Sequence, residues 1–381
     1  MRNPSVISWR RLRALCVKET RQILRDPSSG IIAFFLPLVL LVIFGYGINL
    51  DATAVRLGVL DEDGGADSSA FVRQLSGSPY FRVTVARDRT VLDRMLEDGE
   101  VRGYVALASD FSRRLGQPGG TAPVQVVTDG SEPNTANFVS AYVAGAWGEW
   151  QLSRARDRGA TGAPPVSFET RQWFNPAAES RLYIIPGTIT IIMTVIGAML
   201  TSLVVAREWE RGTMEALLAS PVTRAELLLS KLLPYYALGM ISMAVVTASA
   251  VFVLGVPFRG SLLVLFLVST LFLLSVLGVG LLISSKLRSQ FNSAQTALNV
   301  AFLPAVMLSG AFFEIASMPA AVRAVTYLLP PRYFVSALQT LFLAGDVWSV
   351  LRPNLLALGL AAALFLGLVA RATTRRLDTA P

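Results

Sequence analysis

LYIIPGTITIIMTVIGAMLTSLVVA, Leu182–Ala206, runs for 25 residues without a charged side chain. As an α-helix it would be about 37 Å long, more than the roughly 30 Å of a bilayer's hydrocarbon core. The charged segment REWERGTMEALLASPVTRAELLLSK, Arg207–Lys231, follows at once. A long apolar run with so abrupt a polar end reads as a helix that crosses a membrane. Five more uncharged stretches are long enough to do the same: Gly30–Leu50, Leu232–Val256, Ser261–Ser285, Phe291–Phe313 and Pro353–Ala370. The expected fold is a polytopic α-helical membrane protein with six transmembrane helices. A seventh candidate, Ala320–Ala344, is broken by Arg323, Pro330, Pro331 and Arg332. Arginine at mid-bilayer costs about 2.5–3.5 kcal/mol and a proline pair interrupts a helix. Residues 314–345 are therefore expected to form short interfacial or re-entrant pieces.

Composition agrees with this reading. Of 381 residues, 53% are hydrophobic and 16% charged, against about 25% charged in soluble domains. Histidine is absent and Cys16 is the one cysteine. The commonest general base and metal ligand are thus missing, and neither an intrachain disulfide nor a cysteine-rich metal site can form. No metal site and no catalytic residues are expected. No GxxxxGK[ST] sequence occurs, so the chain has no P-loop for nucleotide phosphates.

The positive charges orient the chain. Residues 1–29 hold seven Lys/Arg, loop 207–231 four, loop 286–290 two and residues 371–381 three. The opposite loops 257–260 and 314–352 hold one and three. The positive-inside rule then places both termini in the cytoplasm and residues 51–181 outside. The apolar run from residue 30 exceeds a signal-peptide core and is expected to be retained as the first span. The net charge of +8 collects at the cytoplasmic membrane face, which removes the basis for nucleic-acid binding.

Residues 51–181 alternate strand and helix signals, as an α/β domain inserted between the first two spans would. Strands are expected at Ala54–Leu60, Tyr80–Ala86, Val101–Leu107 and Val124–Thr128. Helices are expected at Asp67–Leu75, Thr90–Glu97 and Pro133–Asp157, the last from the i, i+3, i+4 spacing of Val139, Tyr142, Val143, Ala146, Trp147 and Trp150.

Three segments could carry mechanism. The connector contains Arg207, Glu208, Glu210, Gly212, Thr213, Glu215, Ser220 and Pro221. It is either a solvated loop restarting as a helix near Thr223, capped toward Glu226, or a rigid element that docks on a partner and transmits motion. Residues 5–26 have a basic amphipathic pattern with Trp9, Leu12, Cys16 and Ile23 on one side; they are either a helix suited to a membrane surface or a loose basic leader needed only for topology. In the fifth span, Asn292, Gln295, Thr296 and Asn299 share a helical face, for packing or for lining a pathway.

The run REWERGTMEALLASPVTRAELLLSKLLPYYALG resembles the cytoplasmic connector of ABC-2 type transporter permeases, especially the multidrug-export subset with a large periplasmic insert. RLGVLDED at Arg56–Asp63, TDGSEPNTAN at Thr128–Asn137, LSGAFF at Leu308–Phe313 and PPRYF at Pro330–Phe334 extend the likeness along the chain. The resemblance implies a permease subunit of an ABC exporter in the bacterial inner membrane, moving hydrophobic or amphiphilic drugs outward. It implies a separate ABC ATPase holding ATP and Mg, so no cofactor in this chain, and a second permease copy or paralogue. In Gram-negative relatives a periplasmic adaptor and an outer-membrane channel join the assembly. Helix 5–26 would be the connecting helix and Glu208–Pro221 the coupling element, with the family's connector acid and glycine-threonine step at Glu208, Gly212, Thr213 and Glu215. Relatives usually carry proline where this chain has Glu314, and glycine where it has Ser230. The alternative reading is a membrane-anchored receptor or scaffold whose outer domain binds a partner, but one span would suffice for that. An ion-coupled transporter would need acidic residues within the spans, and the six stretches contain none.

Overall fold

The computed structural model describes residues 7–47, 54–117, 124–129, 133–157 and 179–372. The chain divides into two compact units, Met1–Asn49 with Gln172–Pro381, and Leu50–Arg171. In chain order the first elements are α1 (Trp9–Arg25), α2 (Pro27–Gly30), a π turn (Ile31–Phe35) and α3 (Leu36–Gly47). The second unit contains β1 (Val55–Asp61), α4 (Ala66–Ser76), β2 (Phe81–Ala86), α5 (Arg89–Glu97), β3 (Gly103–Leu107), α6 (Phe111–Gly116), β4 (Val124–Thr128) and α7 (Pro133–Asp157). The first unit resumes with α8 (Ser180–Glu210), α9 (Thr213–Ala219), α10 (Arg224–Phe252) and α11 (Leu262–Leu287). It continues through α12 (Gln290–Ala297), a second π turn (Leu298–Phe302), α13 (Leu303–Leu308), α14 (Ala320–Thr326), α15 (Pro330–Leu343) and α16 (Trp348–Ala372).

Five helical segments are long and apolar enough to cross a bilayer: Pro27–Gly47, Ser180–Glu210, Arg224–Phe252, Leu262–Leu287 and Trp348–Ala372. The chain is thus a polytopic helical membrane protein. Six spans are expected from the sequence, whereas the stretch assigned to the fifth is helical over residues 290–308 but divided by the π turn. A π turn adds a residue to the hydrogen-bonded ring and re-aims the side chains that follow. The interrupted candidate at residues 320–344 resolves into α14 and α15, and α15, at 14 residues, is only about 21 Å long.

α8 is the centre of this unit. Of its most apolar window, 89% is buried, against 17% for α16. Close approach is made possible by small residues, since a Cβ on Gly197 would come within 2.9 Å of Val276 and one on Gly187 within 2.8 Å of Ala311. Thr201 Oγ1 donates to the carbonyl of Gly197 at 2.7 Å and lies 3.2 Å from that of Leu277 on α11. Such small-residue and hydroxyl contacts hold helices together where lipid removes the hydrophobic drive.

The second unit is a four-stranded sheet of order β2-β1-β3-β4. β1 pairs in parallel with β2 and β3, and β3 pairs antiparallel with β4. Leu57, Val59, Val105 and Leu107 build one face with Phe71 of α4, Phe111 of α6 and Trp150 of α7. Leu60, Tyr104 and Leu92 of α5 build the smaller core on the other face. Arg154 ties α7 to α4 through paired contacts with Asp67 at 2.9 and 2.7 Å. The strands and helices expected here all form, β4 and α7 with the expected bounds; α6 is additional. Residues 119–120, 162–165 and 373–381 lie outside the described residues.

Candidate functional site

The connector does not hang free as a loop. α8 runs on through Arg207 and Glu208 and stops at Arg211, where the chain reverses on Gly212. Gly212 has φ +68°, a left-handed conformation favouring glycine, and open space around its missing Cβ. α9 follows, anchored by the buried Met214, while Glu215, Ala216, Ala219 and Pro221 face outward and Ser220 is half-buried. Ser220 Oγ donates to the Leu217 carbonyl at 2.6 Å and closes this short helix. Thr223 then caps α10 with a reciprocal box: its Oγ1 accepts from Glu226 N at 3.1 Å, and its own N–H donates to Glu226 Oε2 at 2.7 Å.

A buried charged junction joins these pieces to α1. Glu208 Oε1 accepts from Lys18 Nζ and, at 3.3 Å, from Lys231 Nζ. Lys231 also donates to Glu19 Oε1 at 2.8 Å, and Lys18 reaches the same oxygen at 3.2 Å. Two lysines and two glutamates thus form a neutral quartet drawn from α1, α8 and α10. Lys231 is 1% exposed, Glu19 3% and Glu208 4%, so these charges are sustained by one another rather than by water. The second Glu208 oxygen accepts from Thr213 Oγ1, the first residue of α9. The helix after the reversal is therefore hydrogen-bonded into the quartet.

Further contacts surround it. Glu226, fully buried, accepts from Ser8 N at 2.6 Å and Arg11 Nη2 at 2.9 Å, fixing the start of α1 to the start of α10. Arg207 pairs with Asp26 at 3.0 Å and donates to Gln290 Oε1 at 3.3 Å. Glu210 accepts from Gln290 N at 2.7 Å. Arg288 stacks 4.3 Å from the Trp209 ring. Partial burial works against the charged form of Lys18, but the Glu208 and Glu19 carboxylates outweigh it and raise its pKa. Burial likewise opposes ionisation of Asp26, yet the Ser29 hydroxyl and Arg207 lower its pKa from 3.8.

That last shift gives a pH dependence with a definite sign. A carboxyl whose folded pKa is depressed contributes stability above its unfolded pKa and loses it as pH falls through the folded value. Wild type should therefore melt higher than Asp26→Asn at neutral pH, and the gap should close below pH 3.8. Asparagine keeps the Ser28 cap on α2 but replaces the oxygen that accepts from Ser29 and Arg207, so the comparison reads the charge together with those two contacts. Thermal unfolding of both proteins across the acid range measures it.

The residues singled out in the sequence are distributed unevenly. Glu208 and Thr213 join the junction and Arg207 packs beside it, Glu210 is exposed and holds Gln290, and Glu215 and Pro221 remain on the surface. The side of α1 carrying Trp9, Leu12, Cys16 and Ile23 divides. Leu12 and Ile23 are buried in protein, Cys16 is half-buried and Trp9 is 75% exposed. Asn292, Gln295 and Asn299 are exposed on one side of the α12 helix and its π turn, and Thr296 is half-buried. Lys18, Glu19 and Lys231 were not singled out. The available signal was Glu19 lying four positions before Ile23 and three after Cys16, on the face that α1 buries.

Five helices able to cross a membrane, with a charged junction linking an N-terminal helix to a short reversed helix, make this a polytopic helical membrane protein. The chain belongs to the ABC-2 family transporter proteins, whose family model matches residues 28–371. It is 59% identical to the probable multidrug ABC transporter permease YbhS of Escherichia coli K12, over 99% of this chain and 100% of that protein. It is 28% identical to the probable multidrug ABC transporter permease YbhR of the same organism, covering 91% and 95% of the two chains. The linearmycin resistance permease protein LnrN of Bacillus subtilis is 24% identical over 88% of this chain and 92% of its own. As an ABC-2 permease the chain is a transport component that works with an ABC ATPase.

Proposed function

We propose that this chain is the membrane-spanning half of an exporter that moves hydrophobic or amphiphilic compounds, drugs among them, outward across the bacterial inner membrane. A separate ATPase binds ATP and Mg, and a second copy or paralogue of the permease completes the pathway. Both termini face the cytoplasm, residues 290–308 form a sixth span, and the α/β unit lies outside, where it meets a periplasmic adaptor and an outer-membrane channel. The drug class follows the names of the YbhS and YbhR relatives. The orientation follows the distribution of Lys and Arg between loops.

The observation that carries the coupling role is the Glu208 junction. α9 offers Glu215, Ala216, Ala219 and Pro221 to a docking surface, and Thr213 at its start is bonded to Glu208. A displacement of α9 by the ATPase reaches α8 across the Gly212 reversal. Through Lys18 and Lys231 it also reaches α1 and α10, so the three helices move as one body. The exposed Asn292, Gln295 and Asn299 are costly against lipid, and we assign them to the partner permease or the pathway between the two.

Proline at position 212 cannot adopt a positive φ, whereas asparagine visits that region. Gly212→Pro and Glu208→Ala should each lower ATPase-driven export about tenfold, equivalent to roughly 1.4 kcal/mol in the barrier to transport. Gly212→Asn should stay close to wild type. ATP-driven uptake into everted vesicles, with matched expression, measures this. Wild-type export by both Gly212→Pro and Glu208→Ala would remove the coupling role.

A further inference from the structure

A cavity of about 700 Å³ opens beside the junction, lined by Lys18, Arg21, Arg25, Arg207 and Arg211 and one carboxylate, Asp26. Two of these cations are already committed, Arg207 to Asp26 and Lys18 to Glu19 and Glu208. Arg21, Arg25 and Arg211 make no ion pair among the described residues, and all three are exposed. Three guanidinium groups around one opening are suited to phosphate, whose oxygens match the planar fork of arginine.

The position of the cavity selects the kind of phosphate. Pro27 and Ser28, which begin the first apolar segment, and Gln290, which begins α12, also line it, with Gln22. The cavity therefore lies where charged residues give way to apolar helix, at the headgroup level of a bilayer. From that edge Ile31, Phe35, Leu38 and Val42 recur at spacings of four, three and four and are exposed, Phe35 at 66%. Phe291, beside Gln290, is 74% exposed. A ligand that places a phosphate among the arginines and an acyl chain along this surface satisfies both.

We propose that the cavity binds the headgroup of an anionic phospholipid. The three arginines left after Arg207 and Lys18 are paired disfavour a headgroup that carries its own ammonium, and basic pockets at membrane boundaries hold acidic lipids for this reason.

The test uses the full-length chain purified with its ATPase in detergent, titrated with fluorescent phosphatidylglycerol. Half-saturation should come at about tenfold higher lipid in Arg21→Gln/Arg25→Gln/Arg211→Gln than in wild type. Arg10→Gln/Arg13→Gln, on α1 but away from the cavity, should bind as wild type does. Phosphatidylcholine should compete poorly and inorganic phosphate hardly at all. Equal competition by phosphatidylcholine would overturn the proposal, and so would displacement by millimolar phosphate, which would mark a site for a free anion. Unchanged lipid binding with loss of the ATPase from the triple variant would make the cavity a protein-docking surface instead. Should the triple variant not fold, Arg21→Gln/Arg25→Gln, whose side chains are exposed, provides the same comparison with a smaller shift in the same direction.

Discussion

Lys231→Met should be among the most destabilising single substitutions in this protein. Lys231 is the lysine of the quartet that water does not reach: its side chain is 2% exposed, against 43% for Lys18. Removing it leaves Glu19 and Glu208, both buried, sharing Lys18 alone, so one negative charge stays in the interior uncompensated. Breaking a buried pair from one side costs about 3–5 kcal/mol. Lys18→Met removes the same formal charge from a position where solvent can replace it, and its effect should be distinctly smaller. Glu208→Gln added to Lys231→Met restores neutrality with Lys18 and Glu19, and should recover part of the loss. Thermal unfolding in detergent ranks the variants. Equal midpoints for Lys231→Met and Lys18→Met would mean that the quartet is not held as a buried unit.

Gly280→Ala should be nearly as damaging, for a steric reason. A Cβ at position 280 would lie 2.0 Å from Thr201 Oγ1 and 2.5 Å from the carbonyl oxygen of Ala198. The hydroxyl could rotate away, but the carbonyl belongs to the backbone of α8 and cannot. α11 would have to withdraw from the central helix and give up the packing around it. Overpacking of this kind costs about 1–3 kcal/mol and sometimes more, and valine should be worse than alanine. Thr201→Ala combined with Gly280→Ala should rescue little, because the backbone contact remains. Gly359→Ala is the control: nothing lies within 4 Å of a Cβ there, and alanine favours a helix interior by about 1 kcal/mol over glycine. Yield and melting of the two proteins separate the close approach from a general intolerance of substitution.

Much of the architecture was legible because membranes impose a coarse rule. A helix needs about 20 apolar residues to span, and Leu182–Ala206 and Ser261–Ser285 meet it without ambiguity. The α/β unit was readable for a different reason: YFRVTVA alternates and Pro133–Asp157 repeats at helical spacing, so each segment declares its period. Thr223 and Glu226 could be paired from the sequence because a capping box is local. The π turns at Ile31–Phe35 and Leu298–Phe302 carry no such mark, since IIAFF and LNVAF read as ordinary helix. The quartet was hidden by distance. Lys18 and Glu208 are 190 positions apart, and Glu19 and Lys231 are 212 apart. A charged residue at the end of an apolar run suggests snorkelling to water, and only the packing of α1 on α10 turns Lys231 inward.

The coupling role of Glu208 is tested most directly by the number of substrate molecules exported per ATP hydrolysed in the reconstituted transporter. Glu208→Gln keeps the shape of the side chain and its acceptor oxygen for Thr213 while removing the charge that holds Lys18 and Lys231. If the junction transmits the motion of α9, this variant should continue to hydrolyse ATP while export per ATP falls about tenfold. An unchanged ratio, in protein that assembles and hydrolyses ATP as wild type does, would contradict it.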